Sequence, residues 1–124
     1  GLGALTNEIK PAAYLCSHIK DLVPKVVTVI GGPHVTAIPE STLREFPMFD
    51  IGVVGEGEIT FHRLCETIRD GGDFREIQSL CFREKDQIVS TPKRERLLEQ
   101  DRIPDPAFDL LPPATEYWVQ TVRG

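Results

Sequence analysis

One pattern constrains this chain more than any other, and it occurs twice. Val26-Val27-Thr28-Val29-Ile30 is apolar and β-branched, and it breaks at Gly31-Gly32-Pro33-His34. Ile51-Gly52-Val53-Val54 follows, and it breaks at Gly55-Glu56-Gly57-Glu58. Neither run alternates with polar residues as a half-exposed strand would. Both read as strands buried on two faces, the habit of parallel sheets. Glycine at the exit of such a strand lets the backbone turn sharply, take positive φ and approach a neighbour at contact distance.

The segments between the runs supply the crossovers. Residues 1–5 read as the tail of a first strand. Residues 8–23 are predicted helical, because Ile9, Ala12, Ala13, Cys16, Ile19 and Val23 follow helical spacing and Pro24 stops the helix. Residues 25–30 form the next strand. Pro39 opens a short helix over 39–46, with Leu43 and Phe46 inward, and Pro47 ends it. Residues 50–54 form a strand. Residues 58–70 form a helix whose Phe61, Leu64, Cys65 and Ile68 make an inward stripe, closed by Gly71-Gly72. This alternation of strand and helix implies right-handed crossovers and a parallel sheet. Residues 78–83 and 87–91 then read as a small hairpin joined by Glu84-Lys85-Asp86. After it Pro92, Pro104, Pro106, Pro112 and Pro113 mark a linker with at most a short helical turn.

Bulk properties narrow the function. A length of 124 residues suits one domain, and 40% apolar residues suffice for a core. A formal charge of −5 argues against a nucleic-acid partner, which would call for a basic surface. No apolar run reaches the ~18 residues of a membrane span, and no signal peptide is visible, so a cytoplasmic protein is expected. Residue 1 is Gly and the sole methionine is Met48, so the chain is expected to be an excerpt or a processed product. Cys16, Cys65 and Cys81 form no CxxC or CxxxCxxC pattern, so no iron–sulfur or structural zinc site is expected in this chain. All three cysteines are read as packing residues, and His18 and His62 as solvated.

In an open parallel sheet, ligands bind beyond the carboxyl ends of the strands. Both glycine loops stand at such ends and share one rim. Gly31-Gly32 either makes a tight turn only, or leaves room for a bulky ligand. Residues 55–60 read G-x-G-x-x-T, which misses the dinucleotide fingerprint at its last position. Glu56 and Glu58 would also set negative charge where a pyrophosphate should rest. Two carboxylates there suit a ligand that offers donors, such as ribose hydroxyls or primary amides; Glu58 can equally serve only the helix dipole. His34 is read as lining a rim pocket rather than as a metal ligand. No catalytic pair of nucleophile and base is visible, and no P-loop.

The stretch GGPHVTAIPESTLREFPMFDIGVVGEGEITFHRLCETI closely resembles the second half of the B12-binding domain of cobalamin-dependent radical SAM enzymes. GLGALTNEIKPAAYLCSHIK resembles the family's third strand, loop and helix. SLCFREKDQIVSTPKRE resembles the hairpin that follows them, and RIPDPAFDLLP the approach to the radical SAM barrel. The resemblance implies an α/β fold: a partial flavodoxin-like (Rossmann-like) parallel sheet with flanking helices, a small C-terminal hairpin and a Pro-rich linker. Residues 1–91 would be the partial cobalamin-binding domain, and residues 92–124 the linker toward a radical SAM domain absent from this chain. Cobalamin would be held with its nucleotide tail extended into the sheet rim. Gly31, Gly32 and His34 would line the tail pocket, with Gly55, Glu56, Gly57 and Glu58 beside them and Thr6 on the preceding loop.

The family often carries a serine where Gly3 and Ala4 stand, and its first two strands are absent here. His34 is therefore not assigned to cobalt. S-adenosylmethionine and the 4Fe-4S cluster would belong to the missing domain. The longer enzyme would transfer methyl groups or rearrange or oxidise a substrate carbon, while the isolated chain would catalyse nothing. Its three-stranded sheet would be marginal, or would associate with itself through the exposed strand edge. Two alternatives stand beside this reading: a Rossmann-like domain for a nucleotide or nucleotide-sugar, and a degenerate domain that binds no ligand.

Overall fold

The computed structural model describes residues 1–93, 105 and 107–113. The expected linker therefore lies mostly outside the described residues. Within them the order is β1 (Leu2–Gly3), α1 (Ile9–Leu22), β2 (Val29–Gly31), α2 (Pro33–Ala37), α3 (Pro39–Glu45), β3 (Ile51–Val53), α4 (Glu58–Asp70), β4 (Leu80–Glu84) and β5 (Gln87–Ser90). Short 3₁₀ turns lie at Phe74–Glu76 and Phe108–Leu110. Among the described residues no helix is long and apolar enough to cross a membrane.

The strands form one sheet in chain order, β1-β2-β3-β4-β5. The first three are parallel, with Leu2 opposite Ile30 and Val29 opposite Ile51. The hairpin does not stand apart as a separate unit. β4 runs antiparallel beside β3, Val53 opposite Leu80, so the sheet is mixed and has five strands rather than three. This corrects the expected three-stranded remnant. Hydrogen bonding explains the difference. Without β4, the outer edge of β3 would present unpaired backbone groups, whereas Leu80, Cys81 and Phe82 cover it with buried side chains.

Period-two alternation sends neighbouring residues to opposite faces of the sheet. Ile30 packs with Ala13, Cys16, Val35, Leu43 and Phe49 on the face covered by α1, α2 and α3. Val29, Ile51 and Val53 pack with Leu64, Leu80 and Phe82 on the face covered by α4. Gly52 permits the first packing: a Cβ there would stand 3.1 Å from both Leu43 Cδ1 and Val35 Cγ1.

Three further expectations are corrected. β2 begins at Val29 rather than at residue 25, because the Thr28 amide is taken by the Asp50 carboxylate at 2.7 Å. Pro33–Ala37 is a helix that periodicity could not reveal, since its five residues bury only Val35. In α4, Thr60 and Leu64 are buried, while Phe61, Cys65 and Ile68 are exposed. The stripe is thus half used. Phe61, Cys65 and Ile68 occupy one side of α4, and Phe61 leans over Gly1 beside the uncovered part of the sheet.

Candidate functional site

Parallel pairing of β1, β2 and β3 brings their carboxyl tips to one rim. The loops leaving them are tied together. Ala4 donates its amide to Gly31 O at 3.1 Å. Thr6 Oγ1 and His34 Nδ1 lie 3.2 Å apart, linking the loop after β1 to α2. The Gly55 amide donates to Thr36 Oγ1 at 2.9 Å, linking the loop after β3 to α2.

Below this rim, on the α4 face, runs a groove of about 410 Å³. Its walls are Gly1, Leu2, Gly3, Val29, Gly31, Gly32, Val53, Gly55, Gly57 and Phe61. No charged side chain lines it. Six of the ten lining residues are glycine, so backbone forms most of the surface and Leu2, Val29, Val53 and Phe61 supply the rest. Such a groove accepts a flat, largely apolar group and can offer it peptide hydrogen bonds.

The glycines do different work. Gly32 has φ +95°, and a Cβ there would lie 2.8 Å from Ala4 O and 2.9 Å from Ala4 N. Its bareness is needed by the fold, to let the strand tips of β1 and β2 meet. Gly55 has φ +78° and open space where a side chain would begin. Gly31 needs neither allowance: its Cβ would meet only Val53 O at 3.8 Å and Val53 Cβ at 3.9 Å. A Cβ there would make only ordinary contact with Val53, so packing at that position does not demand glycine.

Of the residues singled out from the sequence, Gly31, Gly32, Gly55 and Gly57 share the groove wall. Thr6 and His34 pair with each other at the rim, outside the lining. Glu56 and Glu58 are exposed above it, with Glu58 in the first turn of α4 after the Gly57 N-cap. Sequence reasoning missed Val29, Val53 and Phe61. Strand parity carried a signal for the first: Val29 and Gly31 stand two apart on one strand and therefore face the same way. Phe61, one turn beyond Gly57, was assigned inward instead.

The titrating groups with clear shifts lie away from the groove. Asp50 sits just before β3, at the opposite ends of the strands. Burial raises its pKa, but hydrogen bonds from Lys20 Nζ (2.7 Å) and from the Thr28 amide and hydroxyl outweigh this and hold it below the usual carboxylate range. Burial pushes the Cys16 and Cys81 thiols up. A raised pKa disfavours the thiolate, the opposite of what activates a nucleophilic cysteine.

Comparison with known proteins assigns the chain to a family. A family model described as B12 binding domain matches residues 1–65. An uncharacterized methyltransferase of Pyrococcus horikoshii is 38% identical over 112 residues, 90% of this chain and 24% of its own length. The cobalamin-dependent radical SAM methyltransferase TokK of Streptomyces tokunonensis is 33% identical over 89 residues, 71% of this chain and 13% of its own. The radical S-adenosylmethionine methyltransferase TsrM from Kitasatospora setae, with cobalamin and a 4Fe-4S cluster bound, shares the fold. Its TM-score is 0.62 at 21% identity, over 78% of this chain and 17% of that one. The chain spans a quarter or less of the length of these relatives. With the family match covering more than half of its residues, this chain belongs to the B12-binding domain family.

Proposed function

We propose that the chain holds cobalamin by lodging its nucleotide tail in the groove beside α4, against the bare backbone of Gly31, Gly32, Gly55 and Gly57. The observation that carries this reading is Gly31. It is a glycine that the packing does not require, and any side chain there would project into the groove. The residues present fit the group. Val29, Val53 and Phe61 offer apolar walls to an aromatic base. Glu56 and Glu58 stand above as acceptors for ribose hydroxyls or corrin amides, and Thr6 and His34 can donate or accept beside them.

Cobalamin supplies the cobalt chemistry when bound; this chain's residues bind and orient it. We assign residues 1–91 to this binding role and 92–124 to the connection with a radical SAM domain of the same polypeptide. That domain would bring S-adenosylmethionine and an iron–sulfur cluster, and the longer protein would transfer methyl groups. The names of the relatives support this reading.

The test is titration of the full-length protein with hydroxocobalamin, followed by the corrin absorbance, beside a parallel titration with NAD. Saturable corrin binding is expected, weakened by at least about tenfold in Gly31→Val with little change in stability. NAD binding without a corrin shift would sink the proposal.

A further inference from the structure

The loop Gly55–Gly57 contributes two glycines to the groove wall, and both its sides are fastened to one short piece of backbone. On the entering side, the Val54 amide donates to Ser79 O at 2.9 Å. On the leaving side, Thr60 Oγ1 donates to Gln78 O at 3.4 Å. Ser79 is 3% exposed and has φ +63°, a left-handed conformation unusual for a buried residue that is not glycine. The hairpin ladder shifts at this point. The Ser79 amide donates to Pro92 O at 2.9 Å, while the Leu80 amide turns to Thr91 Oγ1 at 2.9 Å. A backbone departure of this kind beside a binding site, fixed from three directions, points to a positioning role.

We propose that Gln78–Ser79 is a clamp that sets the height of the Gly55–Gly57 loop over the groove and couples it to the strand exit at Thr91–Pro92. This rests on the cobalamin reading above and adds to it a positioning residue, Ser79, that touches no ligand. The left-handed turn lets one residue serve both sides. Its carbonyl accepts from Val54 and its amide donates to Pro92, so a change in the path of the chain at Pro92 is felt at the loop through a single residue.

Ser79→Val in the full-length protein tests the clamp, since a β-branched residue resists positive φ. Ser79→Gly, which accepts it, is the rescuing control. Hydroxocobalamin affinity should fall by about tenfold in Ser79→Val and stay within about twofold of wild type in Ser79→Gly, the scale set by one strained residue. Amide exchange at Val54 and Gly55 should quicken in the valine variant only. In the wild-type protein, hydroxocobalamin should slow exchange at Val54 and Ser79 and leave Lys85–Asp86 unchanged. That last measurement needs no variant and stands if Ser79→Val fails to fold. Corrin binding with no change at Ser79, or equal affinity in all three proteins, would overturn the clamp and leave the binding site intact. Absence of any corrin shift in the wild type would overturn the site as well.

Discussion

Gly31 and Gly32 are neighbours with opposite requirements, and their substitutions should separate fold from function. A methyl group on Gly32 would run into the Ala4 backbone and stay in a left-handed conformation. Gly32→Ala should therefore destabilise the protein by roughly 1–3 kcal/mol, read as a lower urea midpoint. Gly31→Val should leave that midpoint nearly unchanged and act on cofactor uptake. Equal midpoints for the two variants would refute the distinction. Asp50 makes a different point at this scale. Its folded pKa is depressed, so its stabilising contribution is complete above the unfolded carboxylate pKa and fades as pH falls through the folded value. Urea midpoints of the wild type should drop below about pH 4. Asp50→Asn should show a shallower acid limb, at a cost near neutral pH of about 1 kcal/mol, because the Lys20–Asp50 pair is partly solvated.

At the scale of elements, α4 shows how an amphipathic stripe can be divided. Leu64 is fully buried against Val29, Ile51, Val53 and Leu80, and Leu64→Ala should cost about 2–5 kcal/mol. The next residue, Cys65, is exposed, while Cys16 and Cys81 are buried. Their environments also separate them chemically, since burial raises the pKa of the two enclosed thiols. A water-soluble alkylating reagent should therefore modify Cys65 in the native protein and all three cysteines after denaturation, counted by intact mass. Modification of Cys16 or Cys81 at a comparable native rate would contradict the packing of α1 or β4.

Across the whole molecule, the hairpin completes the core. β4 contributes Leu80 and Phe82 to the α4 side and Cys81 to the other, and Arg83 reaches the Leu43 carbonyl at the end of α3. Truncation after Gly72 should abolish cooperative unfolding by circular dichroism, because β3 would lose its neighbour and both apolar layers would open. At the opposite side of the sheet β1 pairs in parallel with β2, Leu2 opposite Ile30 and Gly3 opposite Gly31.

Much of this organisation was legible in the chain itself. The β-branched runs, the proline stops and the glycine exits carry local backbone physics, so strands, crossovers, hairpin and rim loops could be placed by reading along them. The two glycine loops could even be assigned to one rim, because parallel strands put their carboxyl tips together. Pairing across distance was not readable. The junction of β4 with β3, the capture of the Thr28 amide by Asp50 that delays β2, and the exposure of Phe61 and Cys65 depend on which surfaces meet. Only the folded arrangement could tell a glycine needed for close backbone approach, Gly32, from one left bare beside an open groove, Gly31, since both have the same side chain and differ only in what lies 3 to 4 Å away.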